Sequence, residues 1–407
     1  MVAPKLESRR LASFQRSCRR SGPRSIDRYW AALSRHGFPL VERVRGDREK
    51  RLVTFVWRPG RKVTNPSVYT LVANFAENES AMRPLGVGGI WYCSFPLSRK
   101  TRASYGLSPR PFPSLTCSEE EWVRYIRSVR PDPLNPKQIR SDMLLSVFEL
   151  PDAPRQTWAR PRGPASWKEE SHPFQSRRLG NTRTVTVYLP AGFAPTTVRY
   201  NLLVVFDGMA YRETVPAPRI VENLVAADRI RPTVLVLVDN APGARFRDML
   251  HNPAFPDFVA RELLPWLRRR YRLSVPPSRM VLAGSSIGAL ASAQTAFRYP
   301  RLFGNVLAQS GAFQWEISGG KPGFTSLVQE YALAPKRPIR FYLDAGTHET
   351  MPIPECVVTL LGSVRHMRDV LEAKGYSVTY AEFEGAHDYA CWRGTFADGL
   401  LHLLGRS

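Results

Sequence analysis

The stretch Arg279-Met-Val-Leu282-Ala-Gly284-Ser285-Ser286-Ile287-Gly288, continuing through Ala289 to Arg298, decides the fold. A short apolar run enters two glycines flanking Ser286, and an alanine-rich helical segment leaves them. This is the GxSxG pattern in a strand–turn–helix context. Such a bend needs small neighbours, because side chains crowd it. It lifts the central hydroxyl above the carboxyl edge of a sheet and points a helix N-terminus at it. Ser286 is therefore the expected nucleophile, and Ser285 cannot share the apex. The same residues could also serve as a plain helix start with serine as N-cap.

On either side of this segment, strand and helix alternate. Thr184–Leu189, Tyr200–Phe206, Thr233–Val238, Asn305–Gln309, Ile339–Asp344 and Ser377–Phe383 read as strands. Ile220–Ala227, Asp257–Arg270 (with Pro265 inside it) and Thr359–Lys374 read as helices. Strands apolar on both faces between amphipathic helices predict a parallel sheet covered on two sides, a three-layer α/β domain over residues 182–407. Ahead of it, Arg51–Trp57, Val68–Asn74, Gly89–Leu97 and a strand starting at Tyr105 are short, β-branched or aromatic, and broken by Pro, Gly and Asn. They predict an immunoglobulin-like β-sandwich within residues 25–150, with Asp132-Pro-Leu-Asn-Pro136 marking its end. Residues 1–24 are basic and expected to be poorly ordered, although a helix follows from Ile26. Residues 151–181, crowded with Pro and Arg, are expected to be a linker that resists helix and sheet.

The chain has 407 residues, 43% hydrophobic and 23% charged, which excludes disorder over most of its length. No apolar run approaches the roughly 18 residues of a membrane span, and no signal-like segment opens the chain. Five widely spaced cysteines without a CxxC argue against a disulfide scaffold or zinc ribbon and for a reducing, cytoplasmic setting. Lys and Arg total 58 against 35 acids, a net +23, which attracts anions. With no zinc-finger or RNA-binding signature, an anionic small molecule is expected as partner, and no specific nucleic acid. There is no HExxH or clustered Cys/His array, so no metal site is expected.

A serine nucleophile needs a base and an orienting acid, in the chain order Ser, acid, His. His387 follows the last strand in a glycine-containing loop and is the expected base. The acid should follow the preceding strand, where Asp344 and Glu349 both stand. Asp388, adjacent to the histidine, is expected to cap the following helix. The oxyanion hole should use the amide of Ile287 and one from the loop after Phe206, at Gly208 or Met209.

The chain resembles the enterochelin esterases, hydrolases of ferric catecholate siderophores within the esterase D-like α/β-hydrolases. The resemblance rests on Val53-Thr-Phe-Val-Trp57-Arg58, Asp132–Pro136, Leu203-Val-Val-Phe-Asp207-Gly208, Glu262-Leu-Leu-Pro265, the elbow at Ser286 and His387-Asp388-Tyr-Ala-Cys391-Trp392-Arg393-Gly394. It implies Ser286 and His387 as catalytic residues and tips the acid to Glu349, with Asp344 as the alternative. It also implies a substrate loop carrying Arg245, Asp248-Met249 and Asn252. Arg245 and Arg393 could pair with a trianionic aromatic substrate, and Trp392 could wall its pocket, although packing and ion pairing of the terminal helix explain Trp392 and Arg393 equally well. Iron would arrive within the substrate, leaving no protein cofactor. Asp248-Met249, Ser285 and Ile287 depart from the family's usual residues, which leaves hydrolysis intact and the identity of the siderophore open; the elbow and His387 by themselves also fit another ester or acyl transfer.

Overall fold

The computed structural model describes residues 7–22, 25–60, 63–73, 79–114, 117–195, 197–315, 326–351 and 358–406. It divides into two units, Met1–Pro154 with Glu384–Ala390, and Arg155–Phe383 with Cys391–Ser407.

The first unit opens on a correction. Residues expected to be poorly ordered include helix α1 (Arg9–Ser21), whose Ser8 side chain accepts the Leu11 amide. Leu11, Phe14 and Cys18 recur at helical spacing and are buried, while the arginines take the other face. This stripe packs with α2 (Ile26–Ser34) and the start of β1 (Leu40–Val44) through Leu33, Phe38 and Leu40. Net basicity thus masked an amphipathic helix. β2 (Asp47–Trp57), β3 (Ser67–Tyr69), β4 (Arg83–Pro84), β5 (Trp91–Ser98), β6 (Arg102–Ser108), α3 (Glu119–Ile126), β7 (Gln138–Arg140) and β8 (Leu144–Glu149) follow. Residue 74, at the end of the expected second strand, lies outside the described residues.

Two four-stranded sheets result, ordered β1-β2-β5-β4 and β3-β6-β8-β7. Phe55 of one lies 4.7 Å (ring centroids) from Tyr105 of the other and 5.7 Å from Phe148, so the sheets share a core as a sandwich. Asp132 does not end this unit. It is buried, accepts the Tyr105 hydroxyl at 2.8 Å, and precedes two further strands.

The second unit begins with another correction. Within the expected linker, β9 (Lys168–Ser176) pairs antiparallel with β10 (Asn181–Leu189) along its whole length. It is an edge strand, where Pro173 costs no ladder bond to a further neighbour. β11 (Asn201–Phe206), α4 (Gly208–Glu213), α5 (Ala217–Ala226), β12 (Thr233–Val238), α6 (Arg245–Met249), α7 (Ala254–Phe258), α8 (Leu264–Tyr271), β13 (Met280–Ser285), α9 (Ile287–Arg298), β14 (Asn305–Gln309), α10 (Leu327–Leu333), β15 (Arg340–Gly346), α11 (Leu360–Ala373), β16 (Ser377–Phe383) and α12 (Tyr389–Leu404) complete it. A π turn, Val259–Leu263, joins α7 to α8 and ends two positions before Pro265, which has no amide proton to continue the ladder.

The eight strands run β16-β15-β14-β13-β11-β12-β10-β9, parallel from β12 to β16. β11, β12 and β13 are buried along their full length, as expected of strands covered on both faces. From β11 the chain moves outward to β12 and then returns to the other side as β13. Strand order reverses there, and in open α/β sheets that crevice, at the carboxyl ends of β11 and β13, receives ligands. Among the described residues no helix is long and apolar enough to cross a membrane.

Candidate active site

Ser286 stands between β13 and α9 with φ 57° and ψ −122°, a left-handed conformation that costs a non-glycine residue about 1–3 kcal/mol. The flanking glycines make the turn possible. A Cβ on Gly284 would sit 2.6 Å from the Gly288 carbonyl carbon, and one on Gly288 would sit 3.0 Å from Asp207 Oδ2. The Ser286 amide donates to the Gln309 carbonyl at 2.9 Å, and the Ser286 carbonyl accepts the Ala312 amide at 3.1 Å. Ser286 is part-exposed within an otherwise buried run, while Ser285 is fully buried. The sharp turn, rather than an N-cap bond, explains the serine, since its side chain makes no capping bond to α9.

Beside the elbow, Asp207 follows β11 in the left-handed region and Gly208 begins α4. Gly208 touches β12 so closely that a Cβ would meet Asp239 Oδ1 at 2.5 Å. Burial raises the Asp239 carboxyl above the usual carboxylate range, opposed by the Arg212 charge and the Met209 amide hydrogen bond. Met209's side chain is 57% exposed. Arg245 grips the buried Asp207 carboxylate through two bonds of 2.6 and 2.7 Å, and Asn240 adds a third at 2.7 Å. Its guanidinium also lies 5.8 Å from the ring centroid of Phe246, itself an exposed apolar residue.

The rest of the expected substrate loop is occupied structurally. Asp248 is buried and accepts Arg183 at 2.7 Å and Asn181 at 2.8 Å. Asn252 accepts the Ala254 amide at the start of α7. His251, with a positive φ of 51°, bonds the Trp315 carbonyl through Nε2 at 2.8 Å, and burial lowers its pKa.

Both candidate acids are buried. Asp344, at the end of β15, is fully buried and accepts the Ser310 amide at 3.1 Å. Burial pushes its carboxyl up to about 8, against the Thr395 hydroxyl and with help from the Glu349 charge. Glu349 lies in the loop beyond, where its Oε2 accepts the Gly346 amide at 3.1 Å.

Sequence reasoning missed a polar hub. Gln309, wholly buried at the end of β14, accepts Tyr211 Oη at 2.7 Å and donates to the Trp392 carbonyl at 3.0 Å and to Thr395 Oγ1 at 2.6 Å. Trp392 donates its indole to Ser310 Oγ at 2.9 Å. Trp392 is thus a buried packing residue that fixes α12 on the strand ends. Arg393 follows it on the same helix. The available signal was Gln309-Ser310, a polar pair closing the apolar run Val306–Ala308.

His387 lies in Glu384–Ala390, which groups with the first unit although it joins β16 to α12. Ala386 is part of the sandwich core and Ala390 packs with Tyr125 and Leu145. Asp388 caps α12 as expected, accepting the Ala390 amide at 2.8 Å. Among the described residues no cluster of His, Cys, Asp or Glu could hold a metal ion.

An esterase family model matches residues 176–403, and the N-terminal domain of enterochelin esterase matches residues 52–159. The chain is 27% identical over 413 residues to the iron(III) enterobactin esterase of Dickeya dadantii, covering 92% of each. It is similar to the crystal structure of ferric enterobactin esterase from Salmonella typhimurium, with a TM-score of 0.78 and 26% identity, covering 93% of this chain and 98% of that one. It is also similar to the Shigella flexneri enterobactin esterase determined in the presence of enterobactin, with a TM-score of 0.74 and 25% identity, covering 93% and 97%. The glycine-walled turn at Ser286 and this two-part match over nearly the whole chain agree: the chain belongs to the esterase family, in its enterochelin esterase branch.

Proposed function

We propose that this chain is a serine esterase that cuts the ester bonds of a ferric catecholate siderophore trilactone, in keeping with its similarity to the enterobactin esterases named above. The observation that carries the reading is the strained Ser286 turn walled by Gly284 and Gly288, in a chain that matches those enzymes over both its domains. Ser286 Oγ attacks the ester carbonyl while His387 takes its proton. His387 then returns that proton to the departing serine hydroxyl of the substrate. Water, deprotonated by the same histidine, adds to the acyl-enzyme, and collapse releases the acid and regenerates Ser286. The Ile287 amide and the Gly208 amide receive the oxyanion. The Met209 amide, next along the same turn, is the alternative second donor.

Glu349 is the orienting acid in this reading. A carboxyl raised to about 8 keeps its proton at neutral pH, so Asp344 offers no negative charge to an imidazolium. The exposed apolar side chains of Met209 and Phe246, which follow Gly208 and Arg245 in the chain, suit an aromatic group of the substrate. Arg245 is committed to Asp207, so in this reading it acts by bracing that loop beside the elbow. Arg393 and Asn252 are secondary candidates for substrate contact. Trp392 serves by holding α12. Acyl transfer to water needs no resident cofactor, and ferric iron enters as part of the substrate. Among the described residues Cys18, Cys93, Cys117 and Cys391 form no disulfide, which suits a cytoplasmic place of work.

The test is product analysis by mass spectrometry. Enterobactin, a threonine-based trilactone, a linear serine ester and a neutral aryl ester are each offered with and without ferric iron. Linear trimer, dimer or monomer from the catecholate trilactones, abolished in S286A, is expected. A tenfold or greater preference in kcat/KM for the neutral ester would overturn the substrate class. Fluorophosphonate labelling of another serine would overturn Ser286.

A further inference from the structure

Asp388 does more than cap a helix. Its second carboxylate oxygen accepts the backbone amide of Ser104, in the interior of β6. The same side chain therefore ties together two segments 284 positions apart in the sequence, one of them carrying His387. Both segments belong to the first unit. The tie is buried: Asp388 is 7% exposed, and Tyr69 of β3 is close enough that the Asp388 charge, after burial itself, helps push its phenol up to about 12. Further bonds hold the loop to the same place. The Arg102 amide donates to the Glu384 carbonyl at 3.2 Å, and Ala386 sits in the sandwich core, 1% exposed. The loop is thus gripped before His387, by Arg102 and Ala386, and after it, by Ser104 through Asp388.

A base works only if its ring nitrogen meets the proton it removes, and an error of about 1 Å can cost on the order of 10²-fold in rate. Nothing about α12 requires its cap to reach a strand of the sandwich, since the Ala390 amide alone would satisfy a capping aspartate. We propose that Asp388 is a positioning residue for the base: by spanning the Ser104 and Ala390 amides it fixes the backbone of His387, and so makes β6 of the N-terminal sandwich a working part of the catalytic apparatus. This rests on the reading of His387 as the base. Asp388 is not the triad's acid, because both its oxygens are turned to backbone amides.

The rate of Ser286 phosphonylation by a fluorophosphonate tests the idea independently of which ester is the natural substrate. D388A should lower the maximal rate about 100-fold with half-saturation within twofold. D388N keeps one acceptor for two amides, folds with less disturbance, and should lose about tenfold. In an H387A background, adding D388A or D388N should cost nothing further, because the effect passes through the imidazole. Should D388A fail to fold, D388N decides. Rates within twofold of wild type for D388N and for any folded D388A would overturn the proposal, as would a D388N loss that recurs in full without His387. An H387A protein that reacts at the wild-type rate would instead overturn the base assignment, and this proposal with it.

Discussion

Replacing Asp344 with asparagine should leave catalysis standing and flatten the pH dependence of stability. The carboxyl rises from 3.8 to about 8 on burial, so the folded chain holds a proton there that the unfolded chain has already released. The sign follows from proton counting. Between about pH 4 and 8 the native state binds more protons at this site, so stability is greatest at the acid end and declines as pH rises. The slope approaches about 1.4 kcal/mol per pH unit, and the accumulated cost is about 4 kcal/mol by pH 7. Asparagine presents the same acceptor to the Ser310 amide, and its NH₂ replaces the proton of the neutral acid. Urea denaturation of wild type and D344N at several pH values from 5 to 8 isolates this group, since every other titration cancels in the difference. Wild type should lose stability relative to D344N steadily across that range. In parallel, D344N should keep kcat within a few-fold, whereas E349Q should lose up to about 10⁴-fold, the scale of a misoriented imidazole in a serine protease triad. Parallel pH profiles for wild type and D344N, or an inactive D344N beside an active E349Q, would refute the reasoning.

R245A should destabilise the second unit by about 2 kcal/mol, because it leaves the buried Asp207 carboxylate, among the described residues, with Asn240 as its side-chain partner. The figure is discounted for Arg245's partial exposure, and unchanged thermal unfolding would show that the pair contributes nothing. G288A places a Cβ 3.0 Å from Asp207 Oδ2 and should reduce kcat tenfold or more without unfolding the chain, as read by turnover and circular dichroism. F14A should cost about 3 kcal/mol, measured by denaturation, if α1 is packed as described; a change below about 0.5 kcal/mol would place that helix outside the core.

The parts legible in the sequence were those with a period or a punctuated turn. β11 to β13 are continuous apolar runs, and the Ser286 turn announces itself through two glycines whose absent side chains the structure accounts for atom by atom. What escaped was set by tertiary partners. α1 has a weak apolar stripe drowned in arginine, and only its packing on Leu33, Phe38 and Leu40 gives the stripe meaning. β9 contains a proline and few apolar residues, and it is a strand because β10 offers it an edge. The Gln309 hub joins residues from β14, α4 and α12 that no local pattern connects. Asp344 and Glu349 sit five positions apart, and both are buried, so neither the sequence pattern nor burial alone tells them apart.

The membership of Glu384–Ala390 in the first unit has a consequence for synthesis. A ribosome delivers the chain from its N-terminus, and domains ordinarily fold as they emerge. Here the sandwich core lacks Ala386 and its satellite cluster lacks Ala390 until nearly the last residues are made, and the Ser104 amide has no carboxylate to bond. The first unit to be translated is therefore among the last to be finished. A nascent chain halted after β16 would carry every strand of the catalytic sheet beside a sandwich still missing one of its pieces, and a stop codon in the final few dozen positions would damage the beginning of the protein as well as its end.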